Sequence, residues 1–322
     1  MFLMLSKITV GTLQPFVCTS IKWKHSIDDF SDSATVEVPA IAFLKKAGNN
    51  YDYTQLPFKE GDKIKIECGY NGRLYVRFAG FIKRINYSSP LELECEGYSY
   101  PLQKIIINKT YLNTSVKAIL TDILKGTGIS ISPATVNLPL PEAVFKNVTA
   151  VQILEWFKKK CLLTVYFNGN QIYAGLRAIK PAGSVNFNIG WNIVKADDLL
   201  FSGYKEFSTV RLKGVFRKKD GTVQMVETNG NGDVKTIHLD IDISKANQQM
   251  LINDQKLIYD NRGYTGKITT FLEPYADAGM SAVITDPLYP ARTGTYFVTS
   301  VEGSFNKNGA RQVVGIGYKL SE

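Results

Sequence analysis

The two histidines are the residues from which acid–base or nucleophilic chemistry would have to start. His25 lies in Lys22-Trp-Lys-His, next to Ser26 and close to Asp28-Asp29. These residue types are those of a Ser-His-Asp triad, in which the imidazole takes the serine proton and the carboxylate orients the ring. Because adjacency in sequence is not triad geometry, His25 is not assigned as a catalytic residue.

His238, Asp240 and Asp242 share one face of a predicted strand and are the candidate metal ligands. A strand rises about 3.3 Å per residue, so the three side chains spread over roughly 13 Å. One ion cannot be held over that distance without a bend in the strand. We interpret the three residues as a solvated face and predict no metal site.

The cysteines are widely spaced along the chain, at Cys18, Cys68, Cys95 and Cys161. No CxxC pair and no Cys/His cluster is present, which argues against a zinc site. Cys68 and Cys95 fall on the apolar parity of predicted strands. We therefore predict buried, inert thiols.

Motifs that would indicate a specific chemistry are missing. The sequence has no GxxxxGK[ST] phosphate loop, no GxGxxG after a strand, no GxSxG and no HExxH. Basic clusters at Lys22/Lys24, Lys158–Lys160 and Arg217-Lys218-Lys219 are scattered and lack an aromatic platform, so sequence-specific nucleic-acid binding is not expected. We predict that the protein is not an enzyme, with no catalytic, cofactor-binding or metal residues and no cofactor.

Composition indicates a globular chain of two or three domains. It has 322 residues, of which 44% are hydrophobic and 21% charged. Its 38 basic and 29 acidic residues give a net charge of +9, which permits an acidic partner without requiring one. The apolar run at the N-terminus is too short for a signal peptide, and no stretch reaches the ~18 apolar residues of a membrane span. We expect a soluble protein made in the cytoplasm.

The elements fall into three ranges. Residues 1–104 alternate apolar and polar positions as strands do, for example in Leu91–Glu96, and Asn71-Gly72 predicts a hairpin turn. A shift of the alternation near Ala79-Gly80 predicts a bulge in the strand after this turn. Residues 105–183 contain two helical patterns and a hairpin, which indicates a small α+β module. Thr149-x-x-Gln152 predicts a capping box before the second helix. Residues 184–322 return to strands, interrupted by one predicted helix over roughly 244–259 with Ala246, Met250 and Leu257 on one face.

The two β-rich ranges resemble each other weakly. Each ends in a long hairpin whose last strand finishes in Gly-Tyr, at Gly97-Tyr98 and at Gly317-Tyr318. A chance match between β-rich sequences is the alternative explanation. If the echo is real, two duplicated barrel-like domains flank an inserted α+β module.

The order of these pieces resembles the baseplate hub proteins of phage tails, including the late-control protein D type and the hubs of contractile injection systems. The resemblance rests on Gly61-Asp-Lys-Ile-Lys-Ile, Phe78-Ala-Gly-Phe-Ile-Lys-Arg-Ile and Leu91-Glu-Leu-Glu-Cys-Glu-Gly-Tyr, and then on the helical segment from Ser115 and on Gly294-Thr-Tyr-Phe-Val-Thr-Ser-Val-Glu-Gly. It spans most of the chain, although each piece alone is pattern-like.

The resemblance implies a mainly β fold, with two tube-protein-like β-barrels at 1–104 and 184–322 flanking an α+β module at 105–183. It implies a homotrimer whose six barrels form a pseudo-sixfold ring between a trimeric spike and a hexameric tail tube or tube-initiator protein. The expected location is the virion tail or baseplate, assembled in the bacterial host cytoplasm. DNA or effectors would pass through the lumen without specific binding. The chain shows no lysozyme-like or peptidase insertion and no trailing spike domain, so a separate spike protein is expected.

Two other functions remain open on the residues alone. An enzyme acting on cell wall or glycan would use two carboxylates about 5–9.5 Å apart, and the sequence singles out no such pair. A non-catalytic carbohydrate-binding β-barrel protein would need exposed tryptophans, for which Trp23, Trp156 and Trp191 are the candidates.

Overall fold

Most of the chain folds into β-strands, which confirms the predicted mainly β class. The computed structural model describes residues 3–13, 16, 18–45, 48, 50–53, 57–196, 198–202, 211–230, 232–259 and 263–321. Among these residues, no helix is long and apolar enough to cross a bilayer.

The first portion is an antiparallel sheet with the strand order β1-β6-β7-β8-β3-β2, beside a separate hairpin of β4 and β5. The strands are β1 (Met4–Val10), β2 (Ser20–Ser26), β3 (Ser33–Val38), β4 (Phe43–Lys45), β5 (Tyr51–Tyr53), β6 (Lys63–Tyr70), β7 (Arg73–Asn86) and β8 (Leu91–Glu96). A short 3₁₀ helix over Tyr100–Lys104 follows them.

Local sequence explains most of these strands. Ile64, Ile66 and Cys68 of β6 are buried while Lys63 and Lys65 are exposed, as alternation requires. The predicted turn forms with φ of 52° at Asn71 and 87° at Gly72.

The bends of β7 differ from the prediction. The sequence places a bulge at Ala79-Gly80, whereas the register shifts at Arg77 and at Lys83. Glycine is needed at position 80 for close backbone packing, because a Cβ there would lie 2.3 Å from the carbonyl oxygen of Glu96. The strand β7 also separates β6 from β8, so the lysines of β6 do not face the glutamates of β8.

The central module contains both predicted helices and the predicted hairpin. Its elements are β9 (Ile106–Ser115), α1 (Val116–Ile123), β10 (Ser130–Ile131), β11 (Pro139–Thr149), α2 (Ala150–Cys161), β12 (Thr164–Asn168) and β13 (Gln171–Gly175). Thr149 and Gln152 form the predicted capping box of α2. Lys158–Lys160 occupy the last turn of α2, where cations complement the helix dipole.

The last portion repeats the strand order of the first. Its elements are β14 (Ser184–Asn188), β15 (Ile193–Lys195), β16 (Leu199–Ser202), β17 (Arg211–Arg217), β18 (Val223–Glu227), β19 (Val234–Leu239), α3 (Lys245–Gln255), β20 (Gly263–Thr270), β21 (Ser281–Thr285), β22 (Gly294–Asn306) and β23 (Gly309–Ser321). Read across the sheet, β14-β21-β22-β23-β20 ends with β15 and β16, both paired to β20. Along the chain, β14 corresponds to β1, the pair β15 and β16 to β2, and β20, β21, β22 and β23 to β3, β6, β7 and β8. With this correspondence the two portions have the same strand order across the sheet. One difference is that β14 runs parallel to β21, whereas β1 and β6 are antiparallel.

Strands β17, β18 and β19 and helix α3 pack against the central module. Leu212, Phe216 and Leu251 belong to the same buried cluster as Leu120 and Phe157 of the module. The helix α3 buries Gln248, Leu251 and Ile252 there, whereas the sequence pattern predicted a face of Ala246, Met250 and Leu257. The three predicted domain ranges stay predictions, and within the third range this segment shares the core of the second.

Candidate functional site: the junction of the three portions

The two β-rich portions join edge to edge into one 13-stranded sheet. Strand β2, the outermost strand of the first portion, pairs antiparallel with the second half of β22 from Ser20↔Asn306 to Ser26↔Ser300. At the middle of this join Trp23 lies opposite Gly303, where a Cβ would come within 1.9 Å of the indole. Glycine at 303 is therefore required by the close approach of a buried tryptophan.

Arg77 links the two portions from the bulge in β7. Its side chain is buried, and Nη2 donates to the carbonyl oxygen of Leu272 at 2.7 Å while Nη1 donates to Oε1 of Gln312 at 3.1 Å. The guanidinium also lies 4.8 Å from the ring centre of Tyr275 and 5.8 Å from that of Trp23. A buried cation held by acceptor oxygens and aromatic faces fixes both portions in one relative position.

His25 connects all three portions of the chain. Its Nδ1 lies 2.5 Å from Oδ1 of Asp277, and its Nε2 lies 3.0 Å from the carbonyl oxygen of Phe167 in the module. A carboxylate and a carbonyl both accept, so each ring nitrogen donates and the ring is an imidazolium. Asp32 lies 3.9 Å from Nε2.

The charges around His25 explain its protonation. Burial lowers the pKa of His25, but the carboxylates of Asp32 and Asp277 outweigh it and raise the pKa to about 10. Burial raises the pKa of Asp32 to about 7, against the pull of His25. Burial also raises the pKa of Asp277, but His25 lowers it further, so that the net shift is below the usual value.

This arrangement does not form a catalytic triad. The predicted neighbour Ser26 accepts a hydrogen bond from the amide of Asp28 instead of meeting the imidazole. The carboxylate on His25 comes from Asp277, far along the chain, and both ring nitrogens are already engaged. No atom of His25 is left to take a proton from a nucleophile.

The remaining candidate residues lie apart from this junction. His238 and Asp240 are exposed, and Asp240 pairs with Lys160 at 3.5 Å. In the described part of the chain no group of three His, Cys, Asp or Glu could hold a metal ion. Cys68, Cys95 and Cys161 are buried as predicted, with burial raising the pKa of each thiol to about 12, whereas Cys18 is half-buried.

The tryptophans do not form a common platform. Trp23 is buried in the join, Trp156 is half-buried against Phe145 and Phe157, and Trp191 is 84% exposed. Of the basic clusters, Lys219 forms an ion pair with Glu142, and Lys158 donates to the carbonyl oxygen of Asp28 at 2.6 Å. These lysines hold the module against its neighbours.

Sequence analysis missed Arg77 and the partner of His25. An arginine inside the apolar run of β7 is the one local signal, because a buried charge needs partners supplied by the fold. Nothing near His25 or Asp277 in the sequence connects the two residues, which come together through the join of β2 and β22.

Several solved structures share this fold over nearly the whole chain. The 43 kDa tail protein of prophage MuSo2 from Shewanella oneidensis has a TM-score of 0.66 at 14% identity, with 98% of each chain covered. The tail protein from Neisseria meningitidis MC58 has a TM-score of 0.67 at 12% identity, covering 98% of this chain and 96% of that one.

A secretion-system protein also has this fold. The E. coli c3393 protein, described as a component of the type VI secretion system with structural similarity to T4 bacteriophage tail proteins gp27 and gp5, has a TM-score of 0.59 at 9% identity. That match covers 98% of this chain and 79% of the other. No family model and no curated protein matches the sequence. The predicted resemblance to phage tail proteins is confirmed as a shared fold.

Proposed function

We propose that this chain is the structural hub of a phage tail or of a phage-derived injection apparatus. Three copies form a ring that joins a sixfold tail tube to a threefold spike, and the protein belongs to the virion tail or baseplate. The observation that carries this proposal is the repeated strand order of the two β-rich portions, joined into one sheet. A trimer of such chains presents six similar surfaces on one side and three on the other.

The junction supports a geometric role. A symmetry adaptor needs its two halves held at a fixed relative angle. Arg77 holds them through a buried contact, and His25 and Asp277 hold them through a half-buried one. Arg177 adds a bidentate ion pair with Asp28, which anchors the exit of the module to the first portion. These groups are engaged with one another, as expected of a structural joint.

The mass of the purified protein in solution tests the proposal. Light scattering at micromolar concentration is expected to give three times the 35.9 kDa chain mass, and negative-stain images a ring with six lobes. A monomer at every concentration, without rings in the presence of tube or spike protein, would contradict the hub. Release of soluble sugar or peptide from peptidoglycan would support an enzyme instead.

The net charge of +9 sets a second test. DNA or effectors are to pass through the lumen, and a basic wall would retard an acidic polymer through its phosphates. We expect the channel wall to be neutral or acidic, with the basic residues on outer or partner-facing surfaces. A strongly positive bore in an experimental structure of the ring would contradict this expectation.

A further inference from the structure

The two β-rich portions are joined at β22, a long strand that pairs with two different strands along the same side. Strand β22 pairs with β21 over its first residues, from Gly294 to Phe297, and with β2 from Ser300 to Asn306. On its other side β22 pairs with β23. The edge strand of the first portion thus pairs with the half of a central strand that β21 leaves unpaired in the last portion.

The repeated strand order gives each partner of this join a counterpart. Strand β7 corresponds to β22. Each pairs with the strand that precedes it in the sequence, and each forms a long hairpin with the last strand of its portion. Strands β15 and β16 together correspond to β2. They pair antiparallel with β20, as β2 pairs antiparallel with β3, and β20 corresponds to β3. The last portion therefore has an edge like β2, and the first portion has a strand like β22.

Both counterpart edges are open in the described parts of the chain. Strand β6 pairs with β7 only as far as Phe81, and the loop before β6 bonds to Ile82, so Lys83–Asn86 has a strand neighbour on the β8 side alone. Strands β15 and β16 pair with β20 and with no other described strand. Unpaired strand edges are templates for addition of another strand.

From this correspondence we infer that the β15–β16 edge of one copy adds antiparallel to the Lys83–Asn86 edge of β7 in the next copy. The inference rests on the proposed trimeric hub and identifies the contact that builds it. The occupant is a second copy because the chain already makes the same kind of join internally, between β2 and β22.

The side chains at both edges fit such a contact. Leu200 on β16 is 68% exposed, and Tyr87, which directly follows β7, is 67% exposed, so an apolar side chain lies at or beside each edge. The cations of the acceptor edge are neutralised within their own chain, since Lys83 pairs with Glu96 at 2.7 Å and Arg84 with Glu94 at 2.6 Å. The acceptor edge therefore carries no uncompensated cation that would block addition.

The contact is head-to-tail, because the two edges differ. A head-to-tail contact forms a closed ring when its rotation divides a full turn. Each copy contributes one internal join and one join to its neighbour. If the internal join and the join between copies relate adjacent β-rich portions by the same rotation, three copies give six equal rotational steps. Six such steps close the ring that the proposed hub requires.

Charge substitutions at each edge test the contact. Leu200→Asp and Tyr87→Asp are each expected to convert the trimer to monomer in light scattering at about 10 μM, because a desolvated carboxylate opposes strand addition. Leu112→Asp on β9 is the matched control, since Leu112 is also 68% exposed, and it is expected to stay trimeric. An equimolar mixture of the two edge variants is expected to form a 1:1 heterodimer, because one intact pair of edges remains.

The outcomes separate this inference from the hub itself. Edge variants that remain trimeric, or a Leu112→Asp variant that dissociates as they do, overturn the inference while the trimer stands. A mixture that stays monomeric also overturns it. Wild-type protein that is monomeric at every concentration instead removes the proposed trimeric hub. Formation of the heterodimer would itself show that both variants are folded.

Discussion

Replacing Arg77 with methionine tests whether the join between the two β-rich portions depends on a buried cation. Methionine keeps the length and the apolar stem of the side chain but removes every donor. The carbonyl of Leu272 and the amide of Gln312 then lose charge-assisted hydrogen bonds of 2.7 and 3.1 Å. The faces of Tyr275 and Trp23 lose their cation.

The expected cost follows from these contacts. Hydrogen bonds to charged groups contribute about 1.5–3 kcal/mol each, and a desolvated cation–π contact about 2 kcal/mol. Removing a buried guanidinium also removes its desolvation penalty, which offsets part of the loss. We expect a net loss of about 3 kcal/mol in the free energy of unfolding.

Urea unfolding followed by tryptophan fluorescence measures this loss, since Trp23 lies beside Arg77. Arg73→Met is the matched control on the same strand, because Arg73 is exposed and lies outside the edge proposed to contact a second copy. A surface substitution of this kind changes the free energy of unfolding by about 0.5 kcal/mol or less. Equal midpoints for the Arg77 and Arg73 variants would refute the assignment of Arg77 as the clamp.

Three further predictions concern single residues. His25 has a pKa of about 10 in the folded protein and 6.5 in the unfolded chain, so its contribution to stability is complete below pH 6.5 and is lost as pH rises toward 10. His25→Gln should therefore flatten the fall in unfolding free energy between pH 7 and 10, and an unchanged slope would contradict this. Gly303→Ala should lower the thermal midpoint strongly because its Cβ meets Trp23, whereas Gly183→Ala, whose Cβ approaches only the flexible end of Met280, should not; similar midpoints would count against the close approach. Thr149→Ala should cost about 1 kcal/mol through the lost cap of α2, with Thr149→Ser restoring it, and a cost that serine does not reverse would assign the effect elsewhere.

Local chemistry let the sequence predict individual elements well. The capping box at Thr149, the positive φ at Asn71-Gly72 and the alternation in Leu91–Glu96 depend on residues within a few positions of one another. Contacts at that range are encoded by spacing alone. The order of these elements was sufficient to indicate the tail-protein fold, which the structural similarities confirm.

What the sequence by itself determined was therefore the class of fold, the positions of most strands and helices, and the absence of recognisable catalytic motifs. Tertiary structure decided which strands are neighbours, since β7 separates β6 from β8. It also decided that β17, β18, β19 and α3 pack on the module. It also decided that His25 meets Asp277 and that Arg77 meets Gln312, across more than 200 residues. The physical reason is that strand alternation specifies which face is buried but not which strand lies beside it. Charged groups at a join acquire their roles from partners that only the assembled sheet supplies.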